Sequence, residues 1–216
     1  MADLFDILPP TEPPIVVMAD GAALLRGFAI PFEAPLLAAV KTIAATSPFR
    51  HMTTPGGYSM SVATTSCGAT GWVTNRSGYR YDAFDPETGA PWPAMPAPFH
   101  ELAALAAEAA GYPGFRPDAC LINRYLPGTR LSLHQDRNER DFAHPIVSVS
   151  LGLPAIFQFG GLRRGDPVHR FGLRHGDVAI WGGASRLRFH GIAPLKDGDH
   201  ARLGRQRINL TFRKAR

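Results

Sequence analysis

ACLINRYL (119–126), TRLSLHQD (129–136), PIVSVSLGL (145–153), AIFQFGG (155–161), VHRFGLR (168–174), DVAIWGG (177–183), SRLRFHGI (185–192) and QRINLTFR (206–213) follow one another along the C-terminal half of the chain. Nearly all are short, rich in strand-forming residues, and bounded by Gly, Pro or Asp. Eight such segments joined by turns predict eight strands in a sandwich or jelly roll. Long crossover helices are absent between them, which argues against a parallel α/β sheet.

Working outward, 216 residues suit one domain with a sizeable core. With 22 Gly, 20 Pro and only 19% charged residues, a coiled coil or helical bundle is disfavoured. Two helices are predicted upstream of the strands. One runs over 31–46 through Phe32, Leu36, Leu37, Val40 and Ile43, and Ser47-Pro48 closes it. The other runs from about Pro98 to Ala110 through Phe99, Leu102, Leu105 and Ala109, with Gly111 as its C-cap. Between Thr53 and Tyr81 the helical period is lost, and Gly56-Gly57, Gly68, Gly71 and Gly78 divide strand-like stretches. PPTEPP (9–14) predicts extended chain, and the five prolines of 86–98 an irregular connection. The expected class is mainly β with flanking helices (α+β). Residues 1–115 form an extension packed on a core of 116–216, together one structural domain.

Charge is unevenly spread. Residues 1–115 hold 5 Lys+Arg against 10 Asp+Glu; residues 116–216 hold 18 against 8. A basic half attracts polyanions such as nucleic acid; Arg-rich surface of ordinary kind is the competing reading. The opening MADLFDILPP has no basic leader, and no apolar run nears the ~20 residues of a membrane span. Cys67 and Cys120 form neither a zinc spacing nor a disulfide framework. A cytoplasmic protein with no membrane association is expected.

In TRLSLHQD, Leu131 and Leu133 alternate with Ser132, His134 and Asp136 if the strand continues that far, so His134 and Asp136 share a face. His190 lies in a later strand. Two His and one carboxylate are the ligand set of the facial triad for non-haem Fe(II), which leaves three positions open for co-substrate and dioxygen. The competing reading is a surface His and Asp at a strand end. A second such pair, His175-Gly176-Asp177, carries a glycine between its members and reads as a turn. In the last strand Arg207, Asn209, Thr211 and Arg213 alternate with Ile208, Leu210 and Phe212. Beside a metal, that polar face suits a small dicarboxylate, because guanidinium forks match carboxylates. Away from one, it reads as a solvated outer surface. Asn123 and Tyr125 add polar groups from another strand.

Longer stretches carry a resemblance. SPFR (47–50), MTTPGGYSMSVATTSCG (52–68), GW (71–72), PWPAMP (91–96), GYPGFRPDACLINRYLPG (111–128), LSLHQD (131–136), PIVSVSLGLPAIFQFGGL (145–162), HGDVAIWGG (175–183), SRL (185–187), HGI (190–192) and RINLTFR (207–213) closely resemble the AlkB family of Fe(II)/2-oxoglutarate-dependent dioxygenases. The resemblance covers nearly the whole chain. It implies a double-stranded β-helix (jelly-roll) core from about Asp118 and an N-terminal nucleotide-recognition lid. It implies His134, Asp136 and His190 as catalytic iron ligands, and Asn123, Tyr125, Arg207, Asn209 and Arg213 around 2-oxoglutarate. Trp72, Tyr79 and Arg164 match substrate contacts. The implied reaction is oxidative demethylation of 1-methyladenine and 3-methylcytosine in DNA and RNA, a direct-reversal repair using Fe(II), O2 and 2-oxoglutarate and releasing formaldehyde, succinate and CO2.

The target base must leave its stack to reach the metal, and Arg76, Arg80, Arg130, Arg137, Arg163 and Arg164 are candidates for phosphate contacts. Single-stranded DNA is the expected partner, duplex DNA and RNA further candidates, and the protein a monomer. One departure stands out. The family usually places an acid two residues after the metal Asp, where this chain has Asn138, followed by Glu139. A carbonyl acceptor is kept there but a charge is lost, unless Glu139 supplies it. Two other readings compete: an iron dioxygenase acting on a small molecule or protein, and a non-catalytic basic nucleic-acid-binding β-fold.

Overall fold

The structure, a computed structural model, describes residues 14–216; the expectation for the Pro-rich stretch 9–14 lies outside them except at Pro14. In chain order the elements are β1 (Ile15–Ala19), β2 (Ala22–Leu25), α1 (Glu33–Thr46), β3 (Ala63–Gly68), β4 (Gly71–Asn75), β5 (Gly78–Asp82), α2 (Ala97–Ala109), β6 (Ala119–Tyr125), β7 (Leu131–His134), β8 (Ile146–Gly152), β9 (Ala155–Phe159), β10 (His169–Leu173), β11 (Val178–Trp181), β12 (His190–Ile192) and β13 (Arg207–Arg213). The eight strands expected after Asp118 all form, as β6 to β13. They fold as a jelly roll of two antiparallel sheets. The larger runs β1-β2-β11-β8-β13-β6-β3, the smaller β10-β9-β12-β7, and β4-β5 stand apart as a hairpin.

Three findings depart from the reading of the sequence. β1 and β2 are additional strands; Asp20-Gly21 turns them into a hairpin that joins the larger sheet through β11. In SRLRFHGI only His190–Ile192 is strand, because a short 3₁₀ turn at Gly183–Ser185 precedes it. And β7 ends at His134, so Asp136 lies beyond it.

Both faces of the larger sheet are covered. On one, α1 and α2 pack Leu36, Val40, Ile43, Phe99 and Leu102 against Ile122, Val147, Val149, Ile208, Leu210 and Phe212. These positions follow the helical period on one side and the strand period on the other. On the opposite face Tyr125, Phe157, Phe159, Trp181 and Ile192 fill the space between the sheets. β13 therefore has no solvated face, and every one of its seven residues is buried. Its polar row points into the interior of the jelly roll, which excludes the outer-surface reading of Arg207, Asn209, Thr211 and Arg213. Among the described residues no helix is long and apolar enough to cross a membrane.

The His175-Gly176-Asp177 segment is a turn, with Gly176 at φ +84°. Its Asp177 is buried and accepts hydrogen bonds from Arg26 Nη1 (2.7 Å) and from the backbone N–H groups of Gly27 and Arg174 (2.9 and 2.8 Å). It ties the end of β2 to the β10–β11 turn. Asp177→Ala removes this shared buried acceptor and is expected to destabilise the fold by about 3 kcal/mol while iron stoichiometry stays intact. Chemical denaturation and metal analysis of the same preparation check both halves; loss of iron would make this pair the metal site.

Candidate active site

β7 and β12 are antiparallel neighbours, and their register sets His190 directly opposite His134. Gly191 allows it: a Cβ there would sit 2.6 Å from the Leu131 carbonyl oxygen, so any larger residue would push the strands apart. The imidazole centres are 4.4 Å apart. Each ring is aimed through its Nδ1, His134 to the carbonyl of Ser132 (2.9 Å) and His190 to that of Arg188 (3.0 Å). With the proton held on Nδ1, each Nε2 is a lone-pair donor facing inward.

Asp136 meets them although it is off the strand. Its Oδ1 lies 3.6 Å from His134 Nε2 and its Oδ2 3.7 Å from His190 Nε2. One donor atom from each residue falls within 4.8 Å of the others, so the three could hold one metal ion. Arg213 takes the place of strand geometry, with Nε and Nη2 donating to Asp136 Oδ2 at 2.9 and 2.6 Å. Arg186 Nη1 donates to the Asp136 carbonyl at 2.8 Å. Burial alone would raise the Asp136 carboxyl, but Arg213 and the two imidazoles outweigh it and hold it well below the usual carboxylate range. Burial, together with His134 nearby, lowers His190, which favours the neutral ligand form. A buried anion and two imidazoles are a donor set suited to a divalent ion.

The polar row of β13 extends from this cluster. Asn123 faces Asn209 across the β6–β13 ladder and Tyr125 faces Arg207. Asn123 Nδ2 donates to Asn209 Oδ1 (3.3 Å), and Thr211 Oγ1 donates to the same oxygen (3.0 Å). Arg207 is 1% exposed, and burial lowers its guanidinium. Its Nε and Nη2 reach only the Ser150 hydroxyl, at 3.2 and 2.8 Å, and its carbon lies 4.9 Å from the Tyr125 ring centre. Arg207 Nη1 and Tyr125 Oη complete no hydrogen bond of good geometry. Among the described residues no carboxylate pairs with Arg207. A fully buried, unpaired guanidinium is costly unless an anion joins it, so these residues fit a bound dicarboxylate.

Over the site stands the β4–β5 hairpin. Trp72 and Tyr79 stack on it, with ring centres 5.6 Å apart. Trp72 Nε1 donates to Asn138 Oδ1 at 3.4 Å, and Tyr81 donates to Glu139 Oε1 at 2.7 Å. Arg164 lies at the rim, its Nη1 on the Leu133 carbonyl (3.0 Å) and its plane over Phe189. Glu139 is not free to read a substrate. It is 6% exposed and lies 3.3 Å from Arg186 and 3.4 Å from Arg213.

The structure thus groups His134, Asp136 and His190, ties Arg213 to them, sets Asn123, Tyr125, Arg207 and Asn209 along the same interior polar row, brings Trp72 and Tyr79 together with Asn138, and leaves Arg164 on the Leu133 carbonyl. Two further contributors stand beside them. Arg186 joins Asp136 to Glu139, and Trp181 packs 4.7 Å from the His190 ring. No local pattern announces either; Arg186 meets its partners only after folding.

The 2OG-Fe(II) oxygenase superfamily model matches residues 21–213. The chain is 59% identical to alpha-ketoglutarate-dependent dioxygenase AlkB of Escherichia coli (strain K12), over all of this chain and 98% of that one. It is 44% identical over 85 residues to DNA N(6)-methyladenine demethylase ALKBH1A of Arabidopsis thaliana, covering 39% of this chain and 25% of the relative. The solved structure of OsALKBH1 superposes with a TM-score of 0.83 at 29% identity, covering 93% of this chain and 100% of that one. An inward His-Asp-His cluster, a buried cation without its anion and these likenesses converge, and the chain belongs to the AlkB family of Fe(II)/2-oxoglutarate-dependent dioxygenases within the 2OG-Fe(II) oxygenase superfamily.

Proposed function

We propose that the protein repairs alkylated nucleic acid by oxidative demethylation of 1-methyladenine and 3-methylcytosine, in single-stranded DNA first and in RNA as well. His134, Asp136 and His190 hold Fe(II). Arg207, with Tyr125, Asn123, Asn209 and Arg213 around it, holds 2-oxoglutarate. Trp72, Tyr79, Asn138 and Arg164 receive the substrate. The observation that carries the reading is Arg207, buried without an anion on the same interior face as the His-Asp-His cluster. A non-catalytic binding module has no use for such an internal cation.

Iron, when bound with dioxygen and 2-oxoglutarate, supplies the oxidant that inserts one oxygen atom into an N-methyl C–H bond while the keto acid becomes succinate and CO2. The N-hydroxymethyl base then loses formaldehyde, the C–N electron pair returning to the ring nitrogen and the hydroxyl proton passing to solvent. The protein's part is placement. Arg207 offers its open Nη1 to one carboxylate of the co-substrate. Arg213 fixes the charge and angle of Asp136. The methyl group reaches the site only after its base leaves the stack, and an indole such as Trp72 can stack on a flipped base, worth about 1–3 kcal/mol. Single strands are favoured because a duplex adds an unpairing cost of a few kcal/mol.

His134→Ala, Asp136→Ala and His190→Ala are each expected to lose bound iron and all turnover, measured by metal analysis and by the mass of methylated oligonucleotides. Retention of iron and activity in any of them would break the triad assignment. The two arginines are expected to differ. Arg207→Ala keeps iron and weakens 2-oxoglutarate by about 2–5 kcal/mol, the cost of truncating one partner of a buried charge pair. Arg213→Ala also loses iron affinity, since Asp136 loses its fork. Calorimetric titration of each variant with metal and with 2-oxoglutarate separates the cases.

Asn138 presents a neutral amide whose oxygen already accepts from Trp72. Asn138→Asp keeps that acceptor and adds a negative charge beside the base. It is expected to raise the ratio of kcat/KM for cationic lesions over neutral methylated bases. With Glu139 consumed by Tyr81, Arg186 and Arg213, an unchanged ratio would mean that position 138 does not face the base.

A further inference from the structure

Outside the metal cluster, the side of the β4–β5 hairpin opens into a cleft of about 390 Å³ lined by Tyr79, Arg80, Tyr81, Asn138, Arg140 and Arg216. Among the described residues three arginines and no acidic residue line it. Its walls are fixed. The Arg140 N–H donates to the Ala215 carbonyl (3.2 Å), so the loop after Asp136 holds the C-terminal segment. Asp118 holds that segment from the other side, accepting from the N–H groups of Ala215 (2.6 Å) and Arg216 (3.2 Å) and pairing with Lys214 (3.1 Å). Among the described residues the Arg140 and Arg216 side chains form no hydrogen bond or ion pair. Arg80 has one acid near it, Asp82, at 3.4 Å from Nε, which leaves its two terminal nitrogens available.

Two cations without partners, Arg140 and Arg216, beside the singly paired Arg80 favour an anion between them. The shape around them narrows the choice. Tyr79 is 48% exposed and stacks one ring face on Trp72; its remaining exposed surface borders the cleft. An aromatic surface beside convergent guanidinium forks is suited to a nucleotide, ring against base and forks against phosphate. We infer that this cleft is a flanking-nucleotide subsite, in which Arg80, Arg140 and Arg216 bind the backbone phosphodiester next to the nucleotide whose base is delivered past Trp72. The inference rests on the demethylase reading and adds to it a second anchor on the strand. The cleft shares Tyr79 and Asn138 with the Trp72 side of the hairpin, which makes the two sites neighbours.

The test is binding of a methylated single-stranded oligonucleotide, followed by anisotropy as salt is raised, for wild type and the Arg80→Ala/Arg140→Ala double variant. The melting temperature checks that the fold is kept. The double variant is expected to bind about tenfold more weakly at low salt, and its log K against log salt slope to be shallower by about 0.7, the value for one phosphate of a single strand that is no longer neutralised. Arg80→Lys/Arg140→Lys is expected to recover most of the slope, because it restores charge. A methylated nucleoside, which carries no phosphate, is expected to bind wild type and double variant alike. Equal oligonucleotide affinity and slope in wild type and double variant, with wild type still removing the methyl group, would overturn the subsite and leave the demethylase reading standing. A wild-type protein that neither binds nor demethylates the oligonucleotide would overturn both.

Discussion

The Arg213–Asp136 contact is the constraint on which the site depends. A facial metal site needs one anion among its protein ligands, and here that anion is buried and lies past the end of its strand. The sheet ladder fixes His134 and His190 but does not reach Asp136. The two bonds from Arg213 to a single oxygen, at 2.9 and 2.6 Å, position it with charge and direction together. They leave Oδ1 on the side of His134. Because Arg213 ends β13, the ligand is referenced to the most enclosed strand of the protein. The same guanidinium lies 3.4 Å from Glu139, whose other partners are Arg186 and Tyr81. Charge balance at the metal cluster and attachment of the hairpin thus share one buried network.

That network is possible because the larger sheet is covered on both faces. The helices relieve one face of β13 of any contact with water, and Ile208, Leu210 and Phe212 bury there. Polar residues can then occupy the alternate positions without the strand turning over, since a reversal would set arginines against α1 and α2. Burial costs the polar row its hydration. Asn123, Asn209, Ser148 and Thr211 recover it by bonding one another across β6, β13 and β8. Arg207 recovers it only through Ser150, and its open Nη1 marks the place that the proposed function gives to a carboxylate of 2-oxoglutarate.

Much of this is legible in the sequence, for identifiable reasons. β6 to β13 are short, Gly- and Pro-bounded segments, so their existence is readable without their pairing. The alternation in QRINLTFR correctly separates two faces, but the sequence offers no means of telling a water-facing polar row from an interior one. The β1–β2 hairpin carries a usable signal in Asp20-Gly21, a dipeptide favoured in tight hairpin turns, yet its apolar flanks show no clean alternation. Period-two reasoning places Asp136 beside His134 for a reason that does not hold, since β7 stops first; a long-range ion pair accomplishes what the strand is expected to do. Arg186 is beyond reach, because nothing near SRL marks a partner on another loop.

The hairpin's two bonds to the core land on adjacent residues, Trp72 on Asn138 and Tyr81 on Glu139. One of these is exposed and the other buried. Position 139 belongs to the ionic network and tolerates little; the side chain at 138 accepts a bond from the indole and borders the open cleft. On the demethylase reading, a substitution at 138 would change what faces the incoming base, while the buried ionic network held at 139 stayed in place one position away. Specificity and metal-site architecture would then vary separately, although they are set by neighbouring residues.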